Sequence, residues 1–110
     1  MKKKKIDEKT IEEVVYTLLQ LIPVGKVTTY RSLARVTGQH PRKIARILSR
    51  NREIVKIPCH RVVKENRDLS GYSLGREFKR KLLELEGVRI FRNIISKEDL
   101  FHLDKYLLDN

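Results

Sequence analysis

The sequence predicts a mainly α-helical domain with a small β element, built as a winged-helix-like helix-turn-helix. Apolar residues recur at helical spacing in several blocks, most clearly at Ile11, Val14, Val15, Leu18, Leu19 and Ile22. Two short helical blocks, Arg31 to Thr37 and Pro41 to about Arg50, are joined by a tight turn, and the second is strongly basic. The extended stretches at Val27–Tyr30 and Arg61–Val63 are short, which limits the β element to a small one.

Taken in order, Met1-Lys2-Lys3-Lys4-Lys5 opens a basic arm over residues 1–6, suited to brushing phosphates or to keeping the chain soluble. Thr10-Ile11-Glu12-Glu13 reads as a capping box, with Thr10 as N-cap and Glu13 reaching back. The core helix that follows ends at Pro23 and Gly25, and Tyr16 packs along it. The next helix turns Leu33, Ala34 and Val36 inward and stops at Gly38. Pro41 fits the first turn of its successor, which sets Ile44, Ala45, Ile47 and Leu48 on one side. Arg42, Lys43, Arg46 and Arg50 occupy the rest of it. A solvated basic face accounts for them, but four bases with no acid favour contact with DNA. Lys64 to Ser70 is polar and turn-like, suited to a hairpin or wing. Arg76 to Glu86 is a helix with apolar Phe78, Leu82, Leu83 and Leu85, stopped by Gly87. Ser96 opens a C-terminal helix over residues 96–110, with Leu100, Phe101, Leu103 and Leu107 covering the core. With no repeat or linker, residues 1–110 are expected to form one domain.

Composition narrows the function classes. Twenty-five Lys and Arg against 14 Asp and Glu leave a formal charge of +11, which attracts polyanions, nucleic acid foremost. No run approaches the roughly 20 apolar residues of a membrane span. No apolar segment follows the N-terminal lysines, so a secreted protein is not expected. The single cysteine excludes an internal disulfide and suits a cytoplasmic or nucleoid-associated protein. His40, His60 and His102 are scattered, so no metal site is expected, and no glycine-rich phosphate loop is present.

That lone cysteine sits in Ile57-Pro58-Cys59-His60-Arg61-Val62-Val63. A thiol does chemistry as the thiolate, and a neighbouring imidazole and nearby cations promote that form. On an extended chain adjacent side chains point to opposite faces, so the pair would have to communicate through a water. Taken alone, Cys59-His60 fits a small buried hydrophobe beside a solvated histidine better than a reactive pair.

The longer string tips the balance. Pro58-Cys59-His60-Arg61-Val62 resembles the active-site signature of the O6-alkylguanine-DNA alkyltransferases. Gly25-Lys26-Val27-Thr28-Thr29-Tyr30 is similar to that family's Gly-x-Val-x-x-Tyr segment. Arg42 stands 17 residues before the cysteine, where the family has its arginine finger, and Asn51 stands 8 before it, where the family has asparagine. Tyr72-Ser73 and Glu86-Gly87 complete the likeness, which spans roughly Thr10 to Val88.

The resemblance implies a protein that flips O6-alkylguanine out of double-stranded DNA and transfers the alkyl group irreversibly to Cys59. It implies that His60, oriented by Glu86, helps deprotonate the thiol, and that Tyr30 donates to the guanine ring. Arg42 would fill the gap left by the flipped base, with Lys43, Arg46, Arg50 and Asn51 along the DNA-binding side. Pro58, Val62, Tyr72 and Ser73 join Tyr30 around the substrate pocket, Asn51 braces the turn before the active site, and Arg61 has a structural or electrostatic role. The partner is DNA carrying O6-alkylguanine, engaged by a monomer with no cofactor, metal or membrane. The sequence departs from the family in lacking its N-terminal domain and in placing Ala45 and Arg46 where glycines are common. Leu74 follows Ser73, and the loop Lys64 to Leu69 is unusually charged. Two other readings are an alkyltransferase-like protein that flags the lesion without repair, and a helix-turn-helix regulator. The first usually lacks the cysteine; the second leaves Cys59, His60 and Glu86 unexplained.

Overall fold

The computed structural model describes residues 6–109, so most of the expected basic arm, and Asn110, lie outside the described residues. Helix α1 spans Glu8–Leu19 and is capped by Asp7, whose carboxylate accepts from the Thr10 backbone N–H at 2.8 Å. The helix therefore starts almost a turn before the expected cap at Thr10, because an acid at Asp7 both satisfies an orphan amide and complements the helix dipole. Ile11, Val15 and Leu19 are buried, whereas Val14 is 45% exposed. The core face is thus one i, i+4 stripe, narrower than the apolar pattern.

Helix α2, Tyr30–Thr37, is capped by Thr29, whose hydroxyl accepts from the Ser32 N–H at 3.0 Å, and it ends at left-handed Gly38. Helix α3, Pro41–Ser49, begins at His40, whose Nδ1 accepts from the Arg42 N–H at 3.0 Å. Together these form the expected helix-turn-helix. Val36 is only half-buried, and Ala45 faces outward instead of into the core. The Tyr16 hydroxyl donates to the Ile47 carbonyl at 2.8 Å, fixing α1 against α3.

Strand β1 (Thr28–Thr29) pairs in parallel with β2 (Val62–Val63), Thr28 opposite Val62 and Thr29 opposite Val63. Successive strand residues face opposite ways. Val62 joins the apolar cluster of Ile11, Leu19, Leu33, Ile44 and Ile47, while Val63 joins a second one with Leu69, Leu83, Val88 and Ile95. Cys59, just before β2, packs in the first of these clusters.

Helix α4 (Arg76–Leu85) buries Leu83 and Lys79. It leads into an antiparallel hairpin of β3 (Ile90–Phe91) and β4 (Ile94–Ile95). Residues 64–70 make a turn that lies along β4: the Leu69 N–H donates to the Asn93 carbonyl at 2.8 Å and the Ile95 N–H to the Arg67 carbonyl at 2.9 Å. The wing is therefore this turn together with β3–β4, not a hairpin of residues 64–70 alone.

The expected C-terminal helix over residues 96–110 is also corrected. Lys97–Asp99 is a 3-10 turn, Leu100 and Phe101 run beside Val27, and only Leu103–Leu108 forms a helix, α5. Bonds from the Val27 N–H to the Asp99 carbonyl (2.9 Å) and from the Phe101 N–H to the Val27 carbonyl (2.7 Å) hold the segment extended. Asp104 then ties α5 to α2 through the Ser32 hydroxyl at 2.9 Å. No helix among the described residues is long and apolar enough to cross a membrane.

Gly25 is where α1's exit meets the end of α4. Its φ is +89°, and a Cβ there would stand 3.1 Å from the Glu86 carbonyl oxygen. Gly25→Ala combines a left-handed backbone with a backbone collision, so it is expected to cost about 1–3 kcal/mol of stability. Urea unfolding of the variant against the parent measures this.

Candidate active site

Pro58 ends the extended approach from Ile57, and Cys59–Arg61 form a single 3-10 turn. At three residues per turn, consecutive side chains diverge by about a third of a circle. Cys59, His60 and Arg61 therefore point in three directions, in place of the two faces of an extended strand.

Cys59 is 6% exposed and borders a cleft of about 230 Å3 walled by Tyr30, Ala45, Ser49, Ser70, Tyr72 and Ser73. Asn51 Nδ2 donates to Cys59 Sγ at 3.1 Å and to the Ile57 carbonyl at 2.9 Å. Its Oδ1 accepts from the Glu53 N–H at 2.9 Å. Asn51 is itself buried, so it supports the sulfur from inside and does not project from the exposed basic face of α3. Pro58 and Val62, expected in the pocket wall, are buried behind it; Val62 is fully enclosed in the core.

His60 is fully buried, and its Nε2 lies 3.1 Å from Glu86 Oε2. Arg61 grips the same carboxylate, Nε to Oε1 at 3.0 Å and Nη2 to Oε2 at 2.8 Å, and its Nη1 donates to the Ile22 carbonyl at 3.1 Å. Burial opposes the charge on Glu86, but the bonds from Arg61 and His60 prevail and hold its carboxyl below the usual range. Burial also pushes the His60 imidazole below its ordinary value, against the pull of Glu86. A neutral ring beside an ionised carboxylate carries its proton on Nε2 and its lone pair on Nδ1. Nδ1 is buried with no hydrogen-bonding partner among the described residues, as is the Tyr72 hydroxyl. The two rings meet edge to face at 6.4 Å. Burial, then the adjacent sulfur, pushes Tyr72 up to about 12, and burial also raises Tyr30. Both phenols are therefore donors at neutral pH.

Lys79 was missing from the sequence-based site. It is 1% exposed, and its ammonium donates to the Val62 carbonyl at 2.7 Å and the Gly71 carbonyl at 3.3 Å. Burial lowers its pKa to about 8, with Cys59 the largest influence resisting that fall. Lys79, Leu83 and Glu86 stand at i, i+4 and i+7, one face of α4. A lysine in register with a buried leucine and a site glutamate was the available signal.

On the outer side, Arg42, Ala45 and Ser49 fall on one exposed stripe of α3. A second cleft of about 510 Å3, bounded by Arg31, Arg42 and Lys64, shares Tyr30, Ala45 and Ser70 with the first. Arg42 thus lines the cleft that adjoins the one bordered by Cys59. The four bases of this helix divide in two. Lys43 pairs with Glu8 at 2.5 Å and Arg50 with Glu12 at 3.5 Å, both acids of α1. Arg42 and Arg46 make no ion pair among the described residues. No cluster of metal-ligating side chains occurs among the described residues.

Cys59 and two protonated phenols thus line one cleft, with the His60–Glu86 pair in the protein interior and Arg42 in the adjoining cleft. The family model "6-O-methylguanine DNA methyltransferase, DNA binding domain" matches residues 10–88. A methylated-DNA--protein-cysteine methyltransferase of Saccharolobus islandicus is 49% identical over 76 residues, covering 69% of this chain and 50% of that protein. The chain spans about half the length of the curated relatives it matches. Among solved structures, the O6-methylguanine-DNA methyltransferase of Pyrococcus kodakaraensis is 40% identical, with a TM-score of 0.67 over 70% of this chain and 46% of that one. S. pombe Atl1, solved with DNA containing O6-carboxymethylguanine, has a TM-score of 0.76 over 87% of this chain and 98% of its own. At 24% identity that likeness is one of fold.

The depressed Lys79 makes stability depend on alkaline pH. Between about pH 8 and the ordinary value of 10.5, the unfolded chain keeps this proton while the fold releases it. Stability from this group therefore rises with pH across that window, by roughly 3 kcal/mol. Lys79→Met should abolish this component, seen by comparing urea unfolding of parent and variant at both ends of the window.

Proposed function

Since the chain belongs to the O6-methylguanine DNA methyltransferase family, we propose that it repairs O6-alkylguanine in double-stranded DNA, O6-methylguanine above all, by irreversible transfer of the alkyl group to Cys59. The observation that carries this reading is the position of the sulfur. It borders a cleft continuous with the exposed Arg42 stripe and is backed by a neutral His60 held by Glu86.

A base inside a duplex is out of reach of a sulfur set in a cleft, so the damaged guanine leaves the stack and enters it. Arg42, free of acidic partners, fills the space left behind, its guanidinium plane stacking on neighbouring bases. Ala45 adds little bulk to this stripe, which lets helix and DNA approach closely, while Arg46 adds a phosphate contact. A water bridges Cys59 Sγ and the buried lone pair of His60 Nδ1 and relays the thiol proton to the imidazole. Glu86 stabilises the imidazolium that results. The Asn51 amide becomes a charge-assisted donor to the thiolate, and the Lys79 ammonium adds a favourable charge.

The sulfur then attacks the alkyl carbon. The S–C bond forms, the C–O6 bond breaks, and its electron pair passes to the guanine. Tyr30, kept protonated by burial, donates to the ring and offsets that charge, and Ser73 lies on the wall where O6 departs. The product thioether has no good leaving group, and no neighbouring side chain restores the thiol. Each monomer therefore acts once, as a reagent without cofactor or metal, although the reaction is that of an S-methyltransferase. Cys59 also separates this reading from lesion flagging without repair.

Incubation with a duplex carrying one O6-methylguanine should add one CH2 increment to the Cys59 peptide, at no more than one per chain, read by mass spectrometry. An unmodified peptide with binding intact, or repeated turnover, would sink the proposal. Cys59→Ala is expected to abolish transfer while sparing binding. Arg42→Ala should reduce the fluorescence change of a reporter base beside the lesion, a direct measure of flipping.

A further inference from the structure

The β3–β4 hairpin lies past residue 88, where the family match ends, and has no part in the transfer chemistry. Resting on the reading above, we propose that it is a DNA-gripping wing: Arg92 binds a backbone phosphate beside the lesion and Phe91 packs on the adjoining sugar edge.

The hairpin is built in a way that its own folding does not require. Phe91 is 75% exposed, although β3 is only two residues long. The Arg92 guanidinium lies 5.3 Å from the centre of the Phe91 ring, which holds the cation at the tip. Arg92 and Asn93 both have positive φ, 50° and 64°, giving a tight hairpin turn of the kind usually made by Asn-Gly. An arginine at the first of these positions is disfavoured locally, and it places a long cation at the outermost point. Arg67, Arg89 and Arg92 line a cleft of about 540 Å3 with Ile90, Phe91 and Ile94. Arg89 is held by Asp99 at 3.0 Å, while Arg67 and Arg92 make no ion pair among the described residues.

Position makes this basic, aromatic tip a DNA contact. The Asn93 carbonyl accepts from the Leu69 N–H at 2.8 Å. The next residue, Ser70, belongs both to the wall of the Cys59 cleft and to that of the cleft beside Arg42. The hairpin tip is thus fastened to the rim at which the lesion enters. A duplex presents a phosphate charge about every 1.7 Å along its axis, so DNA at that rim meets unneutralised guanidinium groups. A purely apolar partner would leave those charges desolvated and unpaired.

The two residues predict different signatures. Arg92→Ala should weaken binding to an O6-methylguanine duplex and reduce the slope of log K against log salt by about 0.9, one phosphate contact. Phe91→Ala should weaken binding and leave the slope unchanged, because it removes no charge. Parental affinity and slope in both variants would overturn the wing while leaving the transfer reading intact. Loss of self-association in sedimentation, with DNA binding unaltered, would overturn it by making the hairpin a protein contact. Methyl transfer to Cys59 by the parent chain tests the underlying reading separately, and its absence would remove the basis of both.

Discussion

The Glu86 carboxylate is the point on which the rest of the structure closes. It receives His60 Nε2 and two nitrogens of Arg61, and Arg61 reaches on to the Ile22 carbonyl at the exit of α1. The backbone of the same residue presses on Gly25, which only a residue without a Cβ fits comfortably. Three stretches far apart in sequence, 22–25, 60–61 and 86, are locked together there. Burial works against a charge on Glu86, and two partners overcome it. Removing either partner would leave a largely buried charge short of compensation, at a cost of about 3–5 kcal/mol. The cluster therefore behaves as a unit, and the orientation of the imidazole follows from the packing of the fold.

Desolvation then sorts the protons around the sulfur. It keeps His60 neutral, keeps Tyr30 and Tyr72 protonated, and brings Lys79 down to about 8 without discharging most of it at neutral pH. One cause acts with opposite results on acids and bases, because burial always disfavours the charged form. Glu86 and Arg61, bonded to each other, and Lys79, held by two carbonyls, carry charge there. For the proposed transfer this supplies a proton acceptor and proton donors before any substrate arrives.

Much of this was legible in the sequence, and the parts that were not have physical reasons. Helices α1 to α4 announce themselves by spacing and by Gly38, Pro41 and Gly87. Cys59, His60, Asn51, Tyr72 and Glu86 could be chosen through the family resemblance, and the fold draws them together. Lys79 was harder to read: its register with Leu83 and Glu86 was the one signal, and a lysine on a basic amphipathic helix otherwise looks solvated. Ala45 looked like core because it is apolar, but a small side chain says little about which way it faces. The β3–β4 hairpin was hidden by its Arg-Asn turn, which lacks the usual glycine. The C-terminal segment carried a helical pattern, yet backbone bonding to Val27 outweighed it over Leu100 and Phe101. The capping-box pattern points to Thr10, and the acid that caps α1, Asp7, lies three residues earlier.

The net charge of +11 also acquires an address. Arg35 is neutralised by Asp104 and Asp109, Arg80 by Glu77 and Glu84, Arg89 by Asp99, and Lys43 and Arg50 by Glu8 and Glu12. These pairs tie α2 to α5, stiffen α4, fasten the C-terminal segment and fix α3 on α1. They are exposed and individually weak, so their larger effect is on where positive potential remains. Arg42 on α3, with Arg67 and Arg92 on the wing, are among the bases that make no ion pair among the described residues. Between these groups lies Ser70, on the rim of the cysteine cleft. A polyanion drawn to the uncompensated bases would therefore be drawn across the mouth of that cleft.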